Sequence, residues 1–101
     1  MEIFEAAVSK LGTYTHAQTV RVTAHGFNIE NLGNTIARIS GYNPIEPSGF
    51  LIVPNYADFR VFRNEFLLIE FDLSNLEGRE PINKIVIHVD KIKGFPYPYL
   101  S

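Results

Sequence analysis

The sequence predicts a mainly β fold, a single antiparallel β-sandwich or small barrel of about six to seven strands. Three observations predict it. Between Gln18 and Ile92 the apolar residues recur mostly at every second position, as strands with one buried face require. Clusters of Gly, Pro, Asn and Ser separate these runs at near-regular spacing, which marks turns between short strands. No helical segment of the ~10–15 residues needed for a βαβ crossover lies between the runs, so a parallel sheet is not expected. The chain of 101 residues has the length of one domain, able to bury a single core without metal or disulfide staples. One domain over residues 1–101 is expected, with an N-terminal segment at 1–12, a sandwich core at 18–92 and a C-terminal arm at 94–101.

Each element has its own justification. Glu2–Leu11 sets Ile3, Phe4, Ala7, Val8 and Leu11 at helical spacing, which predicts one short N-terminal helix with an apolar stripe, stopped by Gly12. An extended segment is the alternative, since a helix this short is marginal unless it packs. In Gln18–His25 the period becomes two, Thr19, Arg21 and Thr23 alternating with Val20, Val22 and Ala24. Gly26 to Gly33 reads as a polar connection carrying Phe27, Ile29 and Leu32. Thr35–Ser40 reads as a strand whose Ile36 and Ile39 cannot share a face, so a bulge or two-sided burial is expected. Gly41–Gly49, with Pro44 and Pro47, is a long turn. Phe50–Val53 reads as a short buried strand ended by Pro54. Asp58–Arg63 and then Glu65–Asp72 follow, the second being the most apolar strand. Ser74–Pro81 is another turn, and Lys84–Ile92 alternates Ile85, Ile87 and Val89 with Lys84, His88 and Asp90.

Composition excludes several roles. Nine Lys+Arg against eleven Asp+Glu give a formal charge of −2, without the basic excess a general nucleic-acid binder needs against phosphate. No nucleic-acid partner is therefore expected. The longest aliphatic and aromatic runs, Phe50–Val53 and Phe66–Ile69, are far shorter than the ~20 residues of a membrane-spanning helix, so no membrane partner is expected either. Met1–Gly12 has acidic residues where a secretory signal carries basic ones. Synthesis in a cytoplasm is the default, with later export in an assembly left open. The absence of cysteine removes disulfides, thiolate metal sites and thiol nucleophiles.

The residues that carry chemistry are sparse. His16, His25 and His88 fall in separate elements without paired zinc spacing, and read as ordinary surface or strand histidines, His88 as solvated. Asp58, Glu65, Glu70 and Asp72 are closer together. Glu70 and Asp72 share one strand face and read as its wet side, opposite Leu67, Ile69 and Phe71. Asp72–Gly78 lacks the oxygen spacing of a calcium loop. No Gly-x-Ser-x-Gly and no phosphate-binding glycine motif occurs, and Ser48 reads as turn chemistry. Arg60 and Arg63, interleaved with Phe59, Val61 and Phe62, are bracketed by Asp58 and Glu65 and read as protective edge-strand charges. No catalytic residue, cofactor or metal is expected.

The C-terminal arm is the main anomaly. Phe95, Pro96, Tyr97, Pro98, Tyr99 and Leu100 follow the last strand where a polar, frayed tail is usual. Alternating prolines favour extended geometry, and tyrosines give a large contact area at low entropy cost. The arm either packs on its own sheet or docks on a neighbour. With Pro44 and Pro47 of the long turn, it supplies the candidate partner-binding residues.

The stretch Val20-Arg-Val-Thr-Ala-His-Gly-Phe-Asn-Ile-Glu-Asn-Leu-Gly-Asn-Thr-Ile-Ala-Arg-Ile-Ser-Gly41 resembles the opening of an immunoglobulin-like sandwich of the IPT/TIG kind. There a strand runs into Gly-Phe, a short loop and a second strand that closes on glycine. The resemblance covers about a fifth of the chain. The long, proline-rich Gly41–Gly49 and the N-terminal apolar stripe depart from it. Small cysteine-free domains of this kind are similar to decoration and tail proteins of bacteriophage virions, which implies a non-enzymatic structural module. Its partners would be other structural proteins or copies of itself. The alternative is a small-molecule or carbohydrate binder using Tyr14, Tyr42 and Tyr56, and a third reading is a small protein inhibitor or regulator.

Overall fold

The computed structural model describes residues 5–53 and 63–93. They form seven strands: β1 (Glu5–Tyr14), β2 (Gln18–Ala24), β3 (Gly26–Asn31), β4 (Ile36–Ile39), β5 (Phe50–Val53), β6 (Arg63–Asp72) and β7 (Ile85–Lys93). Two antiparallel sheets result, one in the order β1-β7-β3-β5 and the other β2-β6-β4. The all-β antiparallel sandwich is as the sequence predicts.

Successive strands alternate between the two sheets. The pairings are concentric: β4 bridges Ile45, β3 pairs β5, β2 pairs β6 and β1 pairs β7. The chain is thus one long antiparallel hairpin, with its tip in the turn after β4, rolled so that β7 also meets β3 and β6 meets β4. This is jelly-roll connectivity, with one of its eight strands reduced to Ile45. It differs from the immunoglobulin order, in which the first two strands are neighbours in one sheet.

The core lies between the sheets and follows the sequence alternation. Val20, Val22 and Ala24 face it from β2, Leu67 and Ile69 from β6, Ile85, Ile87 and Val89 from β7, and Phe27 and Ile29 from β3. In β4, Ala37 and Ile39 are buried and Ile36 points the other way, half-buried, with no bulge. Burying one isoleucine-sized side chain contributes about 1.5–3 kcal/mol.

Four expectations are corrected. Glu5–Leu11 is strand, not helix: β1 pairs with β7 almost throughout, with a register shift between Lys10 and Gly12. Helical spacing would have buried Val8 and Leu11 together, yet both are exposed. Gly12 stops no helix; it stands at the bulge and leaves room for the Tyr14 side chain, whose hydroxyl would lie 2.7 Å from a Cβ there. Gly26–Asn31 is a strand rather than a connection, because its polar Asn28 and Glu30 merely alternate with buried Phe27 and Ile29. Phe50–Val53 is not a buried strand but a half-exposed one at the border of its sheet. The predicted Asp58–Arg63 strand lies outside the described residues up to Arg63, where β6 begins.

The turns carry the backbone demands their residues suggest. Glu46–Gly49 closes with Gly49 N–H donating to Glu46 O at 2.8 Å. Pro47 takes its second position and Ser48, with φ 69°, the third, where a left-handed residue is required.

Candidate functional site

The predicted partner-binding residues divide in two. Pro44 is exposed and Pro47 half-buried in the loop that leads into β5. Phe95, Pro96, Tyr97, Pro98, Tyr99 and Leu100 lie outside the described residues, as do Tyr56, Asp58, Phe59, Arg60, Val61 and Phe62.

One end of the sandwich holds a polar cluster built by alternation in β6 together with the turn residue Tyr42 and with His25 between β2 and β3. β6 is the central strand of its sheet, and pairing of Arg63 with Ala24 and of Glu65 with Val22 turns both charged side chains to the core side. They do not act as edge charges, as expected for Arg63. The Tyr42 hydroxyl donates to Glu65 Oε1 at 2.6 Å, Arg63 Nη1 lies 3.6 Å from Glu65 Oε2, and Arg63 Nε donates to His25 O at 3.2 Å. Burial, then the Glu65 hydrogen bond and charge, push the Tyr42 hydroxyl up to about 12, against the opposing Arg63 charge. The Tyr42 ring meets Phe27 edge-on at 5.8 Å. His25 is buried rather than on the surface. Burial pushes its imidazole below the usual value, partly offset by the Asp90 charge. The cluster closes the end of the core with paired polar groups.

The other end is stapled by asparagines. Fully buried Asn31 donates from Nδ2 to Thr35 O at 2.8 Å and Ile45 O at 2.9 Å, while its Oδ1 accepts from Gly33 N–H at 3.0 Å. Asn34 Oδ1 accepts from Ile82 N–H at 2.7 Å. A Cβ on Gly33 would stand 2.0 Å from Ile82 O, so only glycine fits where these loops meet.

The outer faces carry the apolar surface. On β6, Phe66 (68% exposed) and Leu68 stand on the face that Glu70 and Asp72 also occupy. Arg21 Cζ sits 5.8 Å from the Phe66 centroid and its Nε donates to Asn64 Oδ1 at 2.9 Å. Farther along, Arg38 bonds Asp72 at 2.7 Å. The Ser74 amide, then Arg38, hold the Asp72 carboxyl down at about 2. On the other sheet, Phe50 and Ile52 of β5 are 63% and 67% exposed. Sequence alternation missed Phe66 and Leu68; the signal was the unbroken Phe66–Ile69 run, apolar on both faces.

Glu70 and Asp72 share the wet face as expected. His16 is exposed, and His88 is half-buried rather than solvated because β7 has a strand on each side. No grouping of three or more metal-ligating side chains occurs among the described residues, and no helix is long and apolar enough to cross a membrane. No protein-family model, curated protein or solved structure matches the chain.

Proposed function

We propose that the chain is a non-enzymatic structural and interaction module of a larger assembly, made with copies of itself or other structural proteins, and that a phage virion is its setting. The observation that carries this reading is apolar surface on the outer faces of both sheets: Phe66 and Leu68 at the middle of one, Phe50 and Ile52 at the border of the other. Scattered exposed apolar residues are ordinary. Here they come in same-face pairs on neighbouring alternate positions, and Phe66 and Leu68 are bordered by Arg21, Arg38 and Asp72, the arrangement of an apolar centre with a polar rim. Exposed Pro44 precedes Ile45, which bridges β4 at the border of the first of these sheets. The virion setting draws on the use of jelly rolls in capsid proteins, an analogy of fold.

Light scattering over a range of concentrations tests the reading. Self-association, or co-assembly with a partner, is expected, and it should weaken in the double variant Phe66→Ser, Leu68→Ser without a fall in melting temperature. A chain that remains monomeric, takes no protein partner and gains melting temperature with glycans would support the carbohydrate reading instead. Two of the three tyrosines for that reading are already engaged, since Tyr14 and Tyr42 pack on the core.

A further inference from the structure

We infer that β5 is an acceptor for the C-terminal residues 94–101 of a second copy of this chain, added as an antiparallel strand that extends the four-stranded sheet. This rests on the interaction-module reading and names its contact.

The acceptor is defined by hydrogen-bond parity. Opposite residues in an antiparallel ladder alternate between bonded and non-bonded pairs. Asn31 N–H donates to Gly49 O, and on the far side of β3 Leu32 N–H donates to Lys84 O. Odd-numbered residues of β3 therefore bond β5 and even-numbered ones bond β7. With Ile29 opposite Leu51 and Phe27 opposite Val53, Leu51 and Val53 bond inward, and Phe50 and Ile52 direct their N–H and C=O groups to the side away from β3. Among the described residues β5 pairs only with β3. The other sheet borders are blunted: β1 has Lys10 and a register shift, β2 has Arg21, and β4 has the Ile45 bridge. Phe50–Val53 has no charge, no proline and no bulge, although an unprotected edge invites pairing.

The donor is defined by sequence. Residues 94–101 read Gly-Phe-Pro-Tyr-Pro-Tyr-Leu-Ser. In an extended strand, Pro96 and Pro98 remove the donors of one side, while Phe95, Tyr97 and Tyr99 keep theirs on the other. Such a strand pairs on one side only and closes the sheet with its proline side. Directly opposite residues share a face, so aromatic side chains paired with Phe50 and Ile52 would lie beside those two exposed side chains and cover them.

Length selects the second copy. β7 and β5 are separated by β3, so the position outside β5 lies three strand spacings, roughly 14 Å, to the side of β7. Lys93 also lies several residues beyond the end of β5 along the strand direction. Reaching Ile52 from Lys93 spans roughly 20 Å, or six extended residues or more. An intramolecular crossing would spend Phe95 and Tyr97, whereas a neighbour's tail would keep both for pairing.

The test uses the full-length chain and Tyr97→Pro, which removes one donor while leaving the tail extended. Molar mass is measured by light scattering, and amide exchange is read at β5. The wild type should be oligomeric with slow exchange at Phe50 and Ile52. Tyr97→Pro should weaken association about tenfold and speed exchange at those two amides alone, leaving Leu51 and Val53 protected. Deletion of residues 94–101 should give a folded monomer whose Phe50 and Ile52 amides are again slowed by the synthetic octapeptide. An oligomer unchanged by Tyr97→Pro and by the deletion overturns the inference but leaves the interaction-module reading standing. A wild-type monomer with slow exchange at Phe50 and Ile52 overturns the exchange between copies. A wild-type monomer with fast exchange there overturns it too and, if no partner protein is taken up, the broader reading with it.

Discussion

Replacing Asn31 by alanine is the most severe single test of the fold's closed end. Its amide makes three hydrogen bonds of 2.8–3.0 Å to Thr35 O, Ile45 O and Gly33 N–H, from a site with no exposure. Truncation leaves these groups without that partner and opens a small cavity. Ile45 O keeps the Ala37 amide, so its loss is partial. Stranding a buried polar group costs about 1–3 kcal/mol, and two full losses with one partial loss give about 3–5 kcal/mol. A domain of this size has about 5–15 kcal/mol in all. With a urea dependence of about 1–1.5 kcal/mol per molar, the unfolding midpoint should fall by about 2–5 M at unchanged slope. Far-ultraviolet dichroism or tyrosine fluorescence follows this, since the chain has five tyrosines and no tryptophan. Asn31→Asp keeps the acceptor, loses both donors and buries a charge. It should be far less stable at pH 7 than at pH 4, where the protonated acid can donate once. A loss below about 1 kcal/mol for Asn31→Ala, at unchanged slope, would refute the assignment of this residue as the staple.

Gly33→Ala should lower stability by at least about 2 kcal/mol, because its Cβ meets backbone at 2.0 Å. Gly78→Ala, at φ 87° in open space, should lose only about 1–2 kcal/mol of conformational strain; comparable thermal melts for the two would remove the steric distinction. The Tyr42 hydroxyl, raised in the fold from 10.0 to about 12, contributes stability that is complete below pH 10 and is lost as pH rises from 10 to about 12. Tyr42→Phe should flatten that alkaline limb of the pH–stability curve. Asp72, lowered from 3.8 to about 2, contributes above pH 4 and loses its contribution as pH falls toward 2, so Asp72→Asn should flatten the acid limb.

Those parts of the fold with one dry and one wet face were legible in the sequence. β2 and the centre of β7 alternate cleanly because each lies over the core with polar residues outward. The rest was hidden where polarity and burial part company. Asn31 faces inward and obscured the alternation of β3, because three hydrogen bonds replace its water. Arg63 and Glu65 also face inward, paired with each other and with Glu65 hydrogen-bonded by Tyr42, so a charge pattern that suggests an edge belongs to a central strand. Val8 and Leu11 made a helical stripe by position, but pairing with β7, distant in sequence, overrode local spacing. Of the candidate site, the sequence marked exposed Pro44, and the aromatic arm it also marked lies outside the described residues. The exposed pairs Phe66–Leu68 and Phe50–Ile52 needed the sheet order before their outward faces were known.

The concentric pairing also orders the events of folding. The Ala37–Ile45 bridge closes a loop of only a few residues, whereas β1 and β7 join the two ends of the described chain. Formed alone, the outer pair would carry the entropy of closing nearly the whole chain; formed after the inner pairs, it closes almost nothing more. The inexpensive route therefore zips from the tip outward. Refolding is expected to protect the amides of Ala37 and Ile45 first and those of β1 last, in a slow, β-dominated reaction. A nascent chain cannot take that route until Ile45 has been made, and cannot finish it until β7 has. Until then β3, β4 and the apolar run of β6 wait with unsatisfied edges, so this small domain spends most of its synthesis exposed to the strand pairing that its finished form restricts.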